Sequence, residues 1–245
     1  MSQIAKKIIL AIKKEADPQK AKHLQRFFKT GPGEYGEGDL FLGLTVPTQR
    51  SIVKNFKNRL NLKDLKVLIV NPYHEVRLVG LLLLVEFFKK ASNQLEKKVL
   101  VDSYLDHSSY INNWDLVDLS AYKIIGQYLF EINQEKKLQK IPKLLSSLAK
   151  SDLLWDRRIA ILSTFPFVRA GQFLPTLELA KILINDQEDL MHKAVGWLLR
   201  EVGKRDEQVL TTFLDEYTLE MPRTMLRYAI EKFPEKKRQF YLKKT

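Results

Sequence analysis

The sequence predicts an all-α chain: an α-solenoid of HEAT- or armadillo-like helical repeats with a concave basic groove. Three observations predict it. Nearly every segment of the 245 residues places its apolar side chains at helical period, and no stretch alternates as a strand does. The helices group into units of roughly 35–40 residues. Charged residues recur at that spacing, because Arg77, Asp118, Arg158 and Lys193 are separated by 41, 40 and 35 residues. The segments His74-Glu75-Val76-Arg77, Trp155-Asp156-Arg157-Arg158 and Leu190-Met191-His192-Lys193 each open a helix that continues with apolar residues. Equivalent positions on successive repeats line one surface, so this one carries three cations and one acid. Trp197, four residues after Lys193, joins it.

In chain order, residues 3–15 set Ile4, Ile8, Leu10, Ala11 and Ile12 among lysines as an amphipathic helix, and Asp17-Pro18 starts the next, over 18–30. Five of the ten glycines then fall between 31 and 43, which makes that stretch a loop with special backbone angles. No Gly-Lys-Ser/Thr follows, so it is not a phosphate-cradling loop. It reads equally as a helix connector and as a place where the backbone approaches a ligand. Thr45-Val46-Pro47 opens a helix to about Lys57 that carries Arg50 and Lys54 on one side. Further helices are expected over 62–71, 75–90, 94–107, 114–131, 135–149, 153–166, 172–185, 187–203, 205–216 and 222–232. Residues Gly80 to Val85 are apolar all round and belong inside. The basic tail, about 234–245, is expected to fray. The whole, 1–245, reads as a single repeat domain.

Composition narrows the chemistry. Forty-one Lys and Arg against 29 Asp and Glu leave a formal charge of +12, which favours a polyanionic partner: DNA, RNA or an anionic membrane surface. With no cysteine, disulfides, thiolate catalysis and Cys-ligated zinc are excluded, and a cytoplasmic home is expected. The four histidines, at 23, 74, 107 and 192, lack metal-binding spacing, so no metal is expected. The N-terminal apolar run lacks a cleavage site, so no secretory signal is expected, and the longest apolar run, Val79 to Val85, is far too short to span a bilayer, so no membrane-spanning segment is expected.

The stretch around Asn113-Trp114-Asp115-Leu116-Val117-Asp118 holds the chemistry-bearing pair. On a helix, Trp114 and Asp118 share one face, a turn apart. The indole can lie against a flat or cationic ring, and the carboxylate can stabilise a developing positive charge or orient a water. On spacing alone, the favoured reading is Trp114 as core and Asp118 as a solvated or capping residue. Trp155 reads as a packing residue between units. Arg157 reaches either a phosphate or the surface, and Asp115 is placed as a helix N-terminal charge.

These residues resemble the AlkD family of DNA alkylation repair glycosylases. The resemblance is carried by Trp114-Asp115-Leu116-Val117-Asp118, by Trp155-Asp156-Arg157-Arg158-Ile159-Ala160-Ile161-Leu162, by Lys193-Ala194-Val195-Gly196-Trp197-Leu198-Leu199-Arg200-Glu201, and by Phe41-Leu42-Gly43-Leu44-Thr45-Val46-Pro47 with the loop before it. It covers roughly 20–235. What the resemblance implies is a helical array curved around duplex DNA that excises cationic alkylpurines such as 3-methyladenine and 7-methylguanine, without a cofactor and without turning the base into a deep pocket. Asp118 then matches the catalytic carboxylate, Trp114 and Trp197 the aromatic walls at the lesion's sugar and backbone, and Arg158 the cation of the DNA-backbone cleft. Lys193, Arg77, Arg50 and Arg157 would join Arg158 on phosphates, and a monomer suffices. Where family members often have a tyrosine facing DNA, this chain has Phe27, which keeps the ring and loses the hydroxyl; Phe28 or Tyr35 is the other candidate for that place. Two further readings stand beside this one: a HEAT-repeat protein that binds DNA of particular shape without cutting it, and a protein-interaction scaffold, which leaves the +12 charge unexplained.

Overall fold

The computed structural model describes residues 1–133 and 140–244, and among them every regular element is a helix, consistent with an α-solenoid of repeats. Its chain forms two compact units, Met1–Ser120 and Ala121–Thr245.

The first unit holds α1 (Gln3–Lys14), α2 (Pro18–Phe27), α3 (Val46–Phe56), α4 (Leu62–Ile69), α5 (His74–Lys90), α6 (Gln94–Leu105) and α7 (Trp114–Ala121), whose last residue crosses the boundary. The helix starts read from sequence are built from side-chain caps. Asp17 accepts from the amides of Gln19 and Lys20 ahead of Pro18, Thr45 accepts from Thr48, and Asn61 and Asp64 form a reciprocal capping box. At the centre lies α5, in which every residue from His74 to Val85 is buried. It packs on α3, α4 and α6, and α1 closes over α3 and α4. A helix apolar all round needs partners on all sides, and that is what α5 has.

The second unit begins with a π-helical turn, Tyr122–Gly126, which runs on from α7 into α8 (Gln127–Ile132). Then come α9 (Lys143–Leu148), α10 (Leu154–Leu162), α11 (Phe165–Arg169), α12 (Leu174–Ile182), α13 (Asp189–Gly203), α14 (Glu207–Tyr217), α15 (Arg223–Ala229) and α16 (Glu235–Lys243). Its organiser is α13, packed on α10, α12, α14 and α15. The approach of α15 is set by Gly196: a Cβ there would sit 2.5 Å from the Met225 carbonyl and 2.6 Å from the Tyr228 Cβ. Gly196→Ala is therefore expected to cost about 2 kcal/mol through forced separation of the two helices, read as a lowered Tm in thermal unfolding. An unchanged Tm would mean that α13 and α15 part without penalty.

Four sequence expectations need correction. The tail does not fray: α16 forms and buries Tyr241, which is 1% exposed and donates a 3.1 Å hydrogen bond to Asp215. The helix expected over 153–166 is two, because Pro166 has no N–H to give a continuing helix and sits instead in the first turn of α11. The helix expected over 114–131 contains the π turn. Of the helix expected over 135–149, residues 135–139 lie outside the described residues, and α9 starts only after Pro142.

Candidate active site

The amino end of α7 is fixed by its own sequence. Buried Asn113 accepts the Trp114 amide on its side-chain oxygen, and Asp115 accepts the Leu116 amide. The helix then presents Trp114, half-buried, and one turn later Asp118, also half-buried. The indole lies on a stack of rings. Phe28 is nearly parallel to it at 5.2 Å, and behind Phe28 come Phe41 at 5.0 Å and the His74 imidazole at 5.1 Å. Phe27 meets the indole edge-on at 6.0 Å and is 56% exposed. An aromatic side chain this open, at the carboxyl end of α2 and against Trp114, is an apolar surface available to a partner.

Below the rings lies a buried charge cluster. His74 sits between two carboxylates, with Nδ1 2.8 Å from Asp39 and Nε2 2.9 Å from Asp115. Arg77 donates to Asp39 at 2.6 Å, to Asn112, and to the carbonyls of Asn71 and Pro72. Burial works against a cationic His74, but the charges and hydrogen bonds of Asp115 and Asp39 outweigh it and raise its pKa to about 9. Burial likewise opposes ionised Asp39, yet His74 and Arg77 hold its pKa below the ordinary value.

The glycine-rich loop is tied down at its far end. The amides of Leu42, Gly43 and Leu44 all donate to the Glu75 carboxylate, which is 1% exposed. Gly43 takes a φ of +91°, and a Cβ there would lie 2.1 Å from the Asp17 carbonyl. Of the two readings of this loop, the segment 39–44 is thus accounted for by contacts with α2 and α5.

In the second unit, half-buried Trp197 packs on Phe165 at 5.6 Å, and the Arg169 guanidinium covers the same phenyl ring. Arg158 is 5% exposed, with Nη1 donating to the Leu190 carbonyl on α13. Lys193 pairs with Asp189 one turn away at 2.6 Å. Arg157 is committed to Asp186 and to the carbonyls of Ser151 and Asp152. Trp155 is core, as its pattern indicates. Of the nominated cations, Arg50 on α3 is exposed. Arg77 departs from expectation: the repeat spacing put it on a surface, and the structure buries it at 4% exposure under Asp39. Sequence reasoning also missed His74 and Asp39. The signal, an acid in a glycine-rich loop and a histidine opening an apolar helix, was too common to single them out.

The sequence profile described as DNA alkylation repair enzyme matches residues 8–233. The chain belongs to the DNA alkylation repair enzyme family. A solved structure, a predicted DNA alkylation repair enzyme from Enterococcus faecalis, superposes with a TM-score of 0.68 over 90% of this chain and 97% of that one. At 17% identity that likeness speaks to the fold. Among curated proteins no match is found. Membership in the DNA alkylation repair family gives the chain a role in repairing alkylated DNA and makes DNA its partner, the polyanion that the charge of +12 asks for. Among the described residues no helix is long and apolar enough to cross a membrane.

Proposed function

We propose that this chain is a monofunctional DNA glycosylase of the AlkD type, cutting the N-glycosidic bond of cationic alkylpurines such as 3-methyladenine and 7-methylguanine in duplex DNA. The observation that carries the reading is a carboxylate, Asp118, one helical turn beyond an indole that is seated on a ring stack and flanked by an exposed phenyl group. N-alkylation makes the purine a cation and a good leaving group, so the bond electrons depart with the base and no acid is required. Positive charge then develops on the deoxyribose. Ionised Asp118 stabilises it and aligns a water whose oxygen adds to the sugar carbon as its proton passes to the carboxylate and on to solvent. The products are an abasic site and the neutral methylpurine. The Trp114 face favours the cationic sugar through its quadrupole.

In this reading Trp197 supplies an aromatic contact to the DNA. Lys193 and Arg50 take phosphates, and Phe27 packs where relatives place a tyrosine. Arg77, Arg157 and Arg158 support the fold, since Arg77 and Arg158 are buried and all three guanidinium groups donate to protein acceptors, which corrects the expectation that Arg158 faces the DNA backbone. The protein acts as a monomer in which 1–245 works as one repeat domain, in the cytoplasm, with no cofactor and no deep pocket for the base.

The test is a duplex carrying a single 7-methylguanine, incubated with the protein and then treated with alkali. Strand breaks confined to the modified position, with binding to undamaged duplex that weakens steeply as salt rises, are the expected result. Salt-sensitive binding without breaks returns the protein to the class that holds DNA without cutting it.

A further inference from the structure

The cluster beneath the rings joins three parts of the chain that sequence keeps far apart. Asp39 comes from the glycine-rich loop, His74 opens α5, and Asp115 is the second residue of α7. The His74 backbone is also held, its amide donating to the Leu40 carbonyl. The groups facing the imidazole are the carboxylates of Asp39 and Asp115 and the rings of Phe28 and Phe41, the latter stacked at 4.4 Å. Arg77 stands one bond further, on the other Asp39 oxygen, and neighbouring Glu75 is turned away to the amides of Leu42, Gly43 and Leu44. With His74 protonated, the two acids and two cations cancel. With His74 neutral, one negative charge is left buried without a counterion, which low-dielectric surroundings penalise.

We propose that the His74 bridge between Asp39 and Asp115 is the positioning device of this site: it fixes the first turn of α7 against the loop and so sets where the Trp114 ring and the Asp118 carboxylate stand. Asp115 is bound directly, Trp114 is its chain neighbour, and the same imidazole contacts Phe28, on which the indole lies. His74 touches no reacting atom in this scheme; it acts through α7. Its kinetic consequence rests on the glycosylase reading of Asp118, whereas its structural consequence does not. The sign of the pH effect follows from the raised pKa. The bridge contributes fully below the ordinary histidine value of 6.5 and is lost as pH rises through about 9.

The test uses the full chain labelled with 5-fluorotryptophan. It carries three tryptophans, and the Trp114 resonance is identified with Trp114→Phe. Asp115→Asn keeps the side chain's size and a hydrogen bond to Nε2 but removes one negative charge, so His74 should lose its proton at lower pH. In the unaltered chain the Trp114 resonance and the single-turnover excision rate should hold steady from about pH 6 until His74 deprotonates near 9. In Asp115→Asn both should change together in a transition displaced toward neutrality, with excision about 10²-fold slower above it. Affinity for duplex and the Trp155 and Trp197 resonances should stay in place. His74→Gln should show the slow state at every pH. A Trp114 resonance that follows the unaltered pH course in Asp115→Asn, or three resonances that move together, overturns the proposal. If the unaltered chain excises nothing, the glycosylase reading fails alone and the Trp114 resonance still decides the positioning role.

Discussion

Asp118→Asn is expected to slow single-turnover excision of 7-methylguanine by about 10²–10³-fold, the cost of removing one preorganised charge from a transition state that needs it, equivalent to about 3–4 kcal/mol. The substitution keeps shape and leaves a group that still orients a water, so the loss isolates the charge. It also takes a negative charge away from a surface that meets phosphates, so affinity for undamaged duplex should hold or tighten. A rate loss with retained affinity is therefore the signature of transition-state stabilisation, while a parallel loss of both would point to a disturbed fold. Because Asp118 is half-buried on α7, thermal unfolding belongs in the same experiment. Excision at the unaltered rate would remove Asp118 from the centre of the chemistry even if the glycosylase activity is real.

Glu75→Ala carries the largest expected effect on stability. Its buried carboxylate accepts from three consecutive amides of a loop that has no ladder of its own. Truncation strands the buried N–H groups of Gly43 and Leu44 and the half-buried one of Leu42, each buried one worth about 1–3 kcal/mol when unmade. A net loss of about 4 kcal/mol and a Tm lower by about 10 °C follow, measured by calorimetry or circular dichroism. Water entering the space vacated by the carboxylate would satisfy some of the amides, so a loss under about 1 kcal/mol would show that the loop is held by its glycines and by Asp39 instead.

How much of this was legible in the chain depends on whether the signal was local. Asp17-Pro18, Thr45 before Pro47 and the all-apolar run through Val85 are local, and α2, α3 and α5 stand where they indicate. The Trp114–Asp118 spacing is local too, and α7 places both on one helix. The contacts that shape the surroundings are not. His74 and Asp115 lie 41 residues apart and His74 and Asp39 lie 35 apart, and no short pattern marks such a meeting. Arg77 shows the cost: repeat spacing gives a position on a helix but not whether an acid from a distant loop will cover it. The tail misled for the opposite reason, since its lysines and arginines mask the buried Tyr241 that anchors α16. The π turn at Tyr122–Gly126 has no counterpart in the apolar pattern, which reads straight through it.

The three-way junction of Asp39, His74 and Asp115 also orders events in the making of the protein. Consecutive helices such as α4 and α5 pack on each other and can gather as soon as they leave the ribosome. The ring stack and the seat of α7 cannot, because the acid that completes the junction is residue 115, close to the end of the first unit. Until then the emerging chain has Asp39 to answer both His74 and Arg77, and nothing ties the imidazole to the segment that becomes α7. A nascent chain stalled before Asp115 consequently leaves the seat of α7 open to proteases and to capture by chaperones.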